Sequence, residues 1–204
     1  MTPTELEQAE LRRVDPSEIL DLTRYEHIRP RYLAETIEMK KSRRIAVGQE
    51  LNFIFENRET VIFQIQEMVR AERRVQDEAI AAEVSVYNEL IPEDHQLSAT
   101  LMIEIPDMRK VRSELDRLIG IDEHVYLEVG GKQVRAAFDD KQFESDRIAA
   151  VQYVKFPLGP ELSERFRDES VSAILGSDHP NYQATCAIEG SVRASLAADL
   201  APGA

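Results

Sequence analysis

Two alternating segments joined by Gly130-Gly131 constrain the fold most strongly, because they predict an antiparallel β-hairpin. In the stretch HVYLEVGGKQVRAAFD, residues 124–139, apolar and polar side chains alternate on both sides of the glycines. A two-residue turn between paired strands needs positive φ at both positions, which glycine adopts without steric cost. The chain is therefore expected to contain an antiparallel sheet.

Periodicity along the rest of the chain predicts a mixture of strands and helices. Alternation predicts strands at 45–55 with a turn or bulge at Gly48, at 97–105, at 149–158 and, more briefly, at 171–175 before a turn at 177–181. Helical spacing predicts helices that start at Pro16, near Pro30, at Arg58, near 78 and at Pro106, and a closing helix at 191–200. In the second helix, Leu33 and Ile37 are expected on the buried side.

This order of elements favours an α+β fold with a mainly antiparallel sheet packed by several helices. We expect a flexible lead-in at residues 1–15, a single domain at 16–200 with an N-terminal helical arm, and a tail at 201–204. The chain of 204 residues is long enough to bury a sizeable core.

Composition and charge exclude several classes of function. No apolar run reaches the roughly 20 residues of a membrane helix, and the N-terminus lacks a secretion signal. A single cysteine, Cys186, excludes an intramolecular disulfide and a Cys-ligated cluster within one chain. The net charge of −13 disfavours nucleic-acid binding. We therefore expect a cytoplasmic protein that binds neither membrane nor nucleic acid.

The charge is unevenly distributed along the chain. Residues 24–74 hold 11 Lys/Arg against 8 Asp/Glu, whereas the remainder is strongly acidic. The basic segment is either a solvated mixed-charge surface or a place for one phosphate, a carboxylate ligand or an acidic partner.

Local catalytic signatures are absent from the sequence. It has no Glu-x-x-His, HExxH, Walker A, GxGxxG or GxSxG motif, so no catalytic residue, cofactor or metal ligand is assigned. Each of the four histidines follows an acid: Glu26-His27, Asp94-His95, Glu123-His124 and Asp178-His179. A metal site assembled from two of these histidines and carboxylates remains an open alternative.

The segment DHPNY, residues 178–182, contains a candidate polar pair. Pro180 restricts His179 to an extended backbone, and the Tyr182 hydroxyl is expected near the imidazole. The pair is interpreted either as an acid/base or ligand site on a rigid loop, or as a turn with a packed tyrosine.

A second candidate surface is the helix in FENRETVIFQIQEMVRAER, residues 55–73. Asn57 is expected to cap it, and Val61, Ile65 and Val69 form its apolar side. Polar residues on or beside the opposite side are candidates for binding a ligand or a partner: Arg58, Glu59, Gln64, Gln66, Arg70 and Arg73. Arg58 at the helix start is also suited to an anion.

Several segments resemble a bacterial family known as domain of unknown function 3501. The resemblance rests on YEHIRPRY, KKSRRIAVG, FENRETVIFQIQEMVRAER, ELIP and DHPNY, and spans residues 25–200. Its members are often encoded beside a rubrerythrin-like protein and an iron–sulfur protein. The resemblance therefore implies a redox context but no known active site.

Two hypotheses follow. The first is an accessory protein that binds a rubrerythrin-like or iron–sulfur partner through the face between Arg58 and Arg73, with complex formation weakened by salt. The second is a small-molecule or metal-dependent enzyme with a pocket between Arg58 and the His179–Tyr182 loop. A homodimer through the long helices is also an open alternative.

Overall fold

The computed structural model describes residues 12–139, 143–144 and 147–201. Within them the chain forms helices α1 (Leu22–Lys41), α2 (Arg58–Ala71), α3 (Asp77–Asn88), α4 (Val111–Arg117), α5 (Gly159–Arg167) and α6 (Gly190–Asp199). The strands are β1 (Arg44–Val47), β2 (Leu51–Glu56), β3 (Gln96–Ile103), β4 (Val125–Val129), β5 (Lys132–Arg135), β6 (Ala137–Phe138), β7 (Phe143–Glu144), β8 (Arg147–Ile148), β9 (Val151–Pro157), β10 (Ala173–His179) and β11 (Tyr182–Ala187). Short 3-10 turns occur at Pro16–Glu18, Met108–Lys110 and Ile121–Glu123.

The strands form two larger antiparallel sheets, which confirms the predicted α+β class. Sheet A has the order β1-β2-β3-β9-β6, and sheet B has the order β11-β10-β4-β5. The predicted hairpin joins β4 and β5, with φ of 53° at Gly130 and 81° at Gly131. Strands β7 and β8 form a separate small hairpin.

One apolar core joins the two sheets. The inward side chains of both sheets belong to a single buried cluster, exemplified by Phe53 on β2, Leu101 on β3 and Leu175 on β10. Phe166 from α5 and Leu196 from α6 pack into the same cluster. The alternation read in the sequence is thus the alternation between this core and the outer sheet faces.

A second apolar cluster lies among the helices. Val61, Ile65 and Val69 of α2 pack with Val84 of α3, as the helical spacing predicted. Val14 also belongs to this cluster, and its backbone N–H donates to Asn88 Oδ1 at 2.8 Å. The described end of the predicted lead-in is therefore packed against the domain, while residues 1–11 and 202–204 lie outside the described residues.

The longest helix, α1, departs from its prediction in two ways. It begins at Leu22 rather than near Pro30, because Asp21 caps it by accepting the Arg24 N–H, and Pro30 lies inside it. Ile37 is 54% exposed, so its expected burial is wrong. The helix is held instead by Tyr25, which is fully buried and donates its hydroxyl to Glu67 of α2 at 2.6 Å.

The C-terminal helix α6 is joined to β2 by a buried arginine. Arg43 is 2% exposed, pairs with Asp199, and donates to the carbonyls of Phe55 and Glu56 at 2.8 and 3.1 Å. A buried guanidinium needs such partners, since an unpaired one would cost several kcal/mol. No helix among the described residues combines the length and apolar character needed to cross a bilayer.

Candidate functional site

The polar side chains at the start of α2 form hydrogen bonds within the chain. Asn57 caps the helix by accepting the Thr60 N–H at 3.0 Å, as predicted. Arg58 Nη2 donates to both carboxylate oxygens of Glu18 at 2.6 Å. The position expected to receive an external anion is thus occupied by a carboxylate of the chain itself, and Glu59 beside it is exposed.

Both glutamines of α2 have partners inside the fold. Gln66 is 2% exposed, and its amide both accepts from and donates to the Leu20 backbone at 2.9 Å. Gln64 Nε2 donates at 2.8 Å to Glu56, a strand residue that is 2% exposed. These amides satisfy buried polar groups, so Gln66 is not presented to a partner.

Glu56 is a buried carboxylate that the sequence analysis did not select. It accepts hydrogen bonds from Thr60 Oγ1, from Gln64 Nε2, and from Thr100 Oγ1 at 2.6 Å. The donors are neutral, and together they tie the first turn of α2 to strand β3. Glu56 is the last residue of β2, and its contacts with Gln64 of α2 and Thr100 of β3 become visible only in the folded chain.

The other end of α2 is its exposed basic end. Arg70 Nε donates to Glu26 Oε1 of α1 at 2.6 Å. Glu67 receives Tyr25 and two nitrogens of Arg29. The exposed Arg73 follows the helix and has no ion pair within the described residues.

Arg73 has a backbone conformation that usually requires glycine. Its φ is 51°, its N–H donates to Arg70 O, and the Arg74 N–H donates to Val69 O at 2.9 Å. This is the Schellman pattern, in which the left-handed residue after the helix is most often glycine. Arg73 therefore retains a charged side chain at a place where it costs free energy.

The DHPNY segment is a tight hairpin between β10 and β11, and the predicted imidazole–hydroxyl pair is absent. His179 is 3% exposed; its Nε2 bonds to Ile119 O at 3.1 Å, and its Nδ1 accepts the Asn181 N–H. Tyr182 donates its hydroxyl to Val47 O at 2.7 Å and accepts the Glu50 N–H. Both side chains are saturated by backbone groups.

The predicted strand at 171–175 is also corrected here. Strand β10 continues to His179, and the turn is confined to residues 180–181. Gly176 lies inside the strand, and only glycine fits there because a Cβ would lie 2.7 Å from the Tyr126 side chain.

Asp178 on β10 forms a polar cluster with His124, which directly precedes β4, and Arg135 on β5; we name these three residues the Asp178 cluster. Arg135 makes a two-nitrogen contact with the Asp178 carboxylate at 2.9 and 2.7 Å, and His124 Nδ1 lies 2.9 Å from Asp178 Oδ1. The Arg135 guanidinium, supported by His124, lowers the pKa of Asp178 from 3.8 to about 2.

This cluster contains the arrangement that acid–base chemistry uses, an imidazole oriented by a carboxylate. The His124 Nε2 has no hydrogen-bond partner within the described residues, and its side chain is 31% exposed. The ring lies edge-on to His179, with centroids 5.1 Å apart. The sequence analysis noted each acid–His neighbour pair, but the contact that forms joins residues 54 positions apart.

The pocket proposed between Arg58 and the His179–Tyr182 loop is not formed. The Tyr182 hydroxyl contacts Val47 and Glu50, in the hairpin that precedes β2, whereas Arg58 follows the other end of that strand. Six strand residues separate the two places by about 20 Å. The enzyme hypothesis in that form is therefore wrong.

Metal ligands are not gathered in the part of the chain that the structure describes. No group of three or more His, Cys, Asp or Glu side chains there is arranged to hold an ion. Cys186 is partly exposed on β11.

Comparison with known proteins identifies the family but not an activity. A family profile described as "Protein of unknown function (DUF3501)" matches residues 13–200. A crystal structure of a protein of unknown function from Burkholderia pseudomallei K96243 superposes with a TM-score of 0.86 at 32% identity, covering 92% of this chain and 99% of that one. No curated protein matches the chain. The chain therefore belongs to the DUF3501 family.

Proposed function

We propose that this protein is a cytoplasmic accessory protein that binds a redox partner of the rubrerythrin-like or iron–sulfur type. The genomic context implied by the family supports the choice of partner. The partner would dock against the basic end of α2, defined by Arg70 and Arg73. The observation that carries this proposal is the exposed Arg73, which has a positive φ and no ion pair with any described residue.

The charges around Arg73 support an electrostatic recognition site. Other arginines of segment 24–74 form ion pairs within the chain: Arg29–Glu67, Arg31–Glu35, Arg43–Asp199, Arg44–Glu104, Arg58–Glu18 and Arg74–Glu72. Arg24 and Arg70 are paired as well, so Arg73 is the one arginine of segment 24–74 without an ion pair in the described part of the chain. Opposite charges across an interface chiefly set specificity and association rate, so an acidic partner surface fits best.

The backbone conformation of Arg73 supports the same conclusion independently. Glycine in the left-handed position would remove a penalty of about 1–2 kcal/mol. Arg73 makes no ion pair within the described fold that would offset this penalty. Side chains that lower stability without a structural return are characteristic of functional positions.

Co-purification with the neighbouring redox proteins tests this proposal. The untagged rubrerythrin-like and iron–sulfur neighbours would each be co-expressed with wild type, Arg73→Glu or the matched control Arg167→Glu. Arg167 is an exposed arginine that ends α5 and receives the same charge reversal. We expect wild type and R167E to retain one neighbour at low salt, and R73E to lose it.

Salt and variant responses separate the possible outcomes. Capture should weaken as ionic strength rises, because the Debye length shortens from about 30 Å at 0.01 M to about 10 Å at 0.1 M. Equal capture of all three proteins would refute the docking surface. If the wild-type protein captures neither of the two neighbours, the accessory function is refuted.

A further inference from the structure

We infer that a pocket beside His95 is a binding site for a small molecule that carries an oxyanion, either a carboxylate or a phosphate group. The pocket lies between α3, the start of β3 and the start of α5, away from the Asp178 cluster. It has a volume of about 580 Å³, within the range of small-molecule sites. This inference does not depend on the proposed partner.

The turn that places His95 in the pocket is strained. Gln96 N–H donates to Glu93 O, and His95 inside this turn has a φ of 57°. The His95 carbonyl accepts the N–H groups of Leu158 and Gly159 at 3.0 and 3.1 Å, which fixes the turn against the start of α5. A turn position with positive φ is ordinarily filled by glycine or asparagine.

The fold does not account for the imidazole of His95. Its Nδ1 is buried and has no hydrogen-bond partner among the described residues. His179 is the contrasting case, since both of its ring nitrogens are bonded to backbone groups. A strained residue with an unsatisfied side chain reduces stability twice, once through its backbone and once through its unbonded nitrogen. The positive φ of His95 is the feature that points to a ligand, because the buried Nδ1 itself is closed to the pocket.

Three cations and three carboxylates line the pocket, and the half-buried Lys155 is the cation that favours an anionic ligand. Lys155 on β9 is half-buried in the pocket wall and has no ion pair within the described chain. Arg12 lines the same wall and pairs with Asp94, and the exposed Arg13 at the rim has no ion pair with any residue that the structure describes. An incoming oxyanion would supply the hydrogen-bonding counter-charge that the half-buried Lys155 ammonium lacks.

The remaining lining sets the kind of molecule. Ile91, Pro92 and Pro160 supply apolar surface for a carbon skeleton. Glu89 and Glu93 also line the pocket and are exposed at its edge, where they disfavour a highly charged anion. The pocket therefore fits a small organic acid or a monophosphate better than a polyanion.

The test uses inorganic phosphate and succinate as probes on the full-length protein. Binding would be followed by thermal shift and by titration calorimetry, against sodium chloride of equal ionic strength. We expect saturable binding of one probe to wild type, which also decides between phosphate and carboxylate. Lys155→Gln should bind about tenfold more weakly or worse, and the exposed control Lys110→Gln should bind as wild type does.

A second variant distinguishes loss of the ligand site from loss of the fold. His95→Gly should raise the melting temperature of the unliganded protein, because glycine relieves the positive φ and removes the unbonded nitrogen. It should also lose the response to the probe. The inference is overturned if neither probe binds beyond the chloride control, or if K155Q and H95G both bind as tightly as wild type.

Discussion

Replacing Arg73 with glycine should make the protein more stable while removing the proposed partner binding. Arg73 occupies the left-handed position that closes α2, with a φ of 51°. A side chain in that conformation costs about 1–2 kcal/mol relative to glycine. Glycine also increases the entropy of the unfolded chain, which lowers the free energy of unfolding by about 0.4–1 kcal/mol and offsets part of this gain. The expected net stabilisation is about 0.5–1 kcal/mol.

Urea unfolding followed by circular dichroism measures this change. The midpoint should rise with no change in slope, and the melting temperature should rise by about 1–4 °C for a chain of this length. Arg167→Gly is the matched control, because Arg167 lies in the last turn of α5 with ordinary helical backbone. Glycine there should cost about 0.5–1 kcal/mol.

The two variants should thus move stability in opposite directions. If R73G is destabilised as R167G is, then Arg73 makes stabilising contacts that outweigh its strain, and the argument for a functional side chain fails. If R73G is stabilised but still captures the redox partner at wild-type level, the strain is present but does not serve binding.

Further predictions concern the groups that hold the candidate surfaces in place. Gln66→Ala should cost about 1–3 kcal/mol in urea unfolding, because it leaves a backbone N–H and carbonyl unpaired; a loss near zero would contradict this role. Gly48→Ala should destabilise more than Gly131→Ala, since both have positive φ but only a Cβ at 48 meets the Tyr182 hydroxyl; equal thermal shifts would contradict that contact. Asp178→Asn should flatten the acid limb of the stability curve, because the lowered pKa of Asp178 contributes stability that is complete above 3.8 and lost as pH falls to about 2. Parallel unfolding curves for wild type and D178N between those pH values would refute that linkage.

Local signals in the sequence predicted local structure well. The Gly130-Gly131 hairpin forms because its turn chemistry and strand alternation agree. The α2 helix starts where Asn57 and Thr60 cap it reciprocally. In each case neighbouring residues determine the outcome, so a single sequence suffices.

Tertiary contacts overrode the local signal elsewhere. Pro30 indicated a helix start, yet α1 runs through it because Tyr25 and Arg29 attach the preceding turns to Glu67. Strand β10 extends past Gly176 because it pairs with β11 and β4 on either side of that position, where the Tyr126 ring leaves no room for a Cβ. Neither contact leaves a periodic trace in the sequence.

The candidate sites were less predictable than the fold. The His124–Asp178 contact depends on the register of β4 against β10, which alternation does not specify. The significance of Arg73 and His95 lies in their positive φ, which is a property of the folded backbone. A glycine at either position would have indicated a positive φ, whereas arginine and histidine give no such signal in the sequence.

Native mass spectrometry of the purified protein mixed with each neighbouring redox protein at low ionic strength tests the central claim most directly. The account predicts a stoichiometric complex with the rubrerythrin-like or the iron–sulfur protein. That complex should be retained by Arg167→Glu and absent with Arg73→Glu. Wild-type protein that remains unbound in the presence of both neighbours would contradict the account.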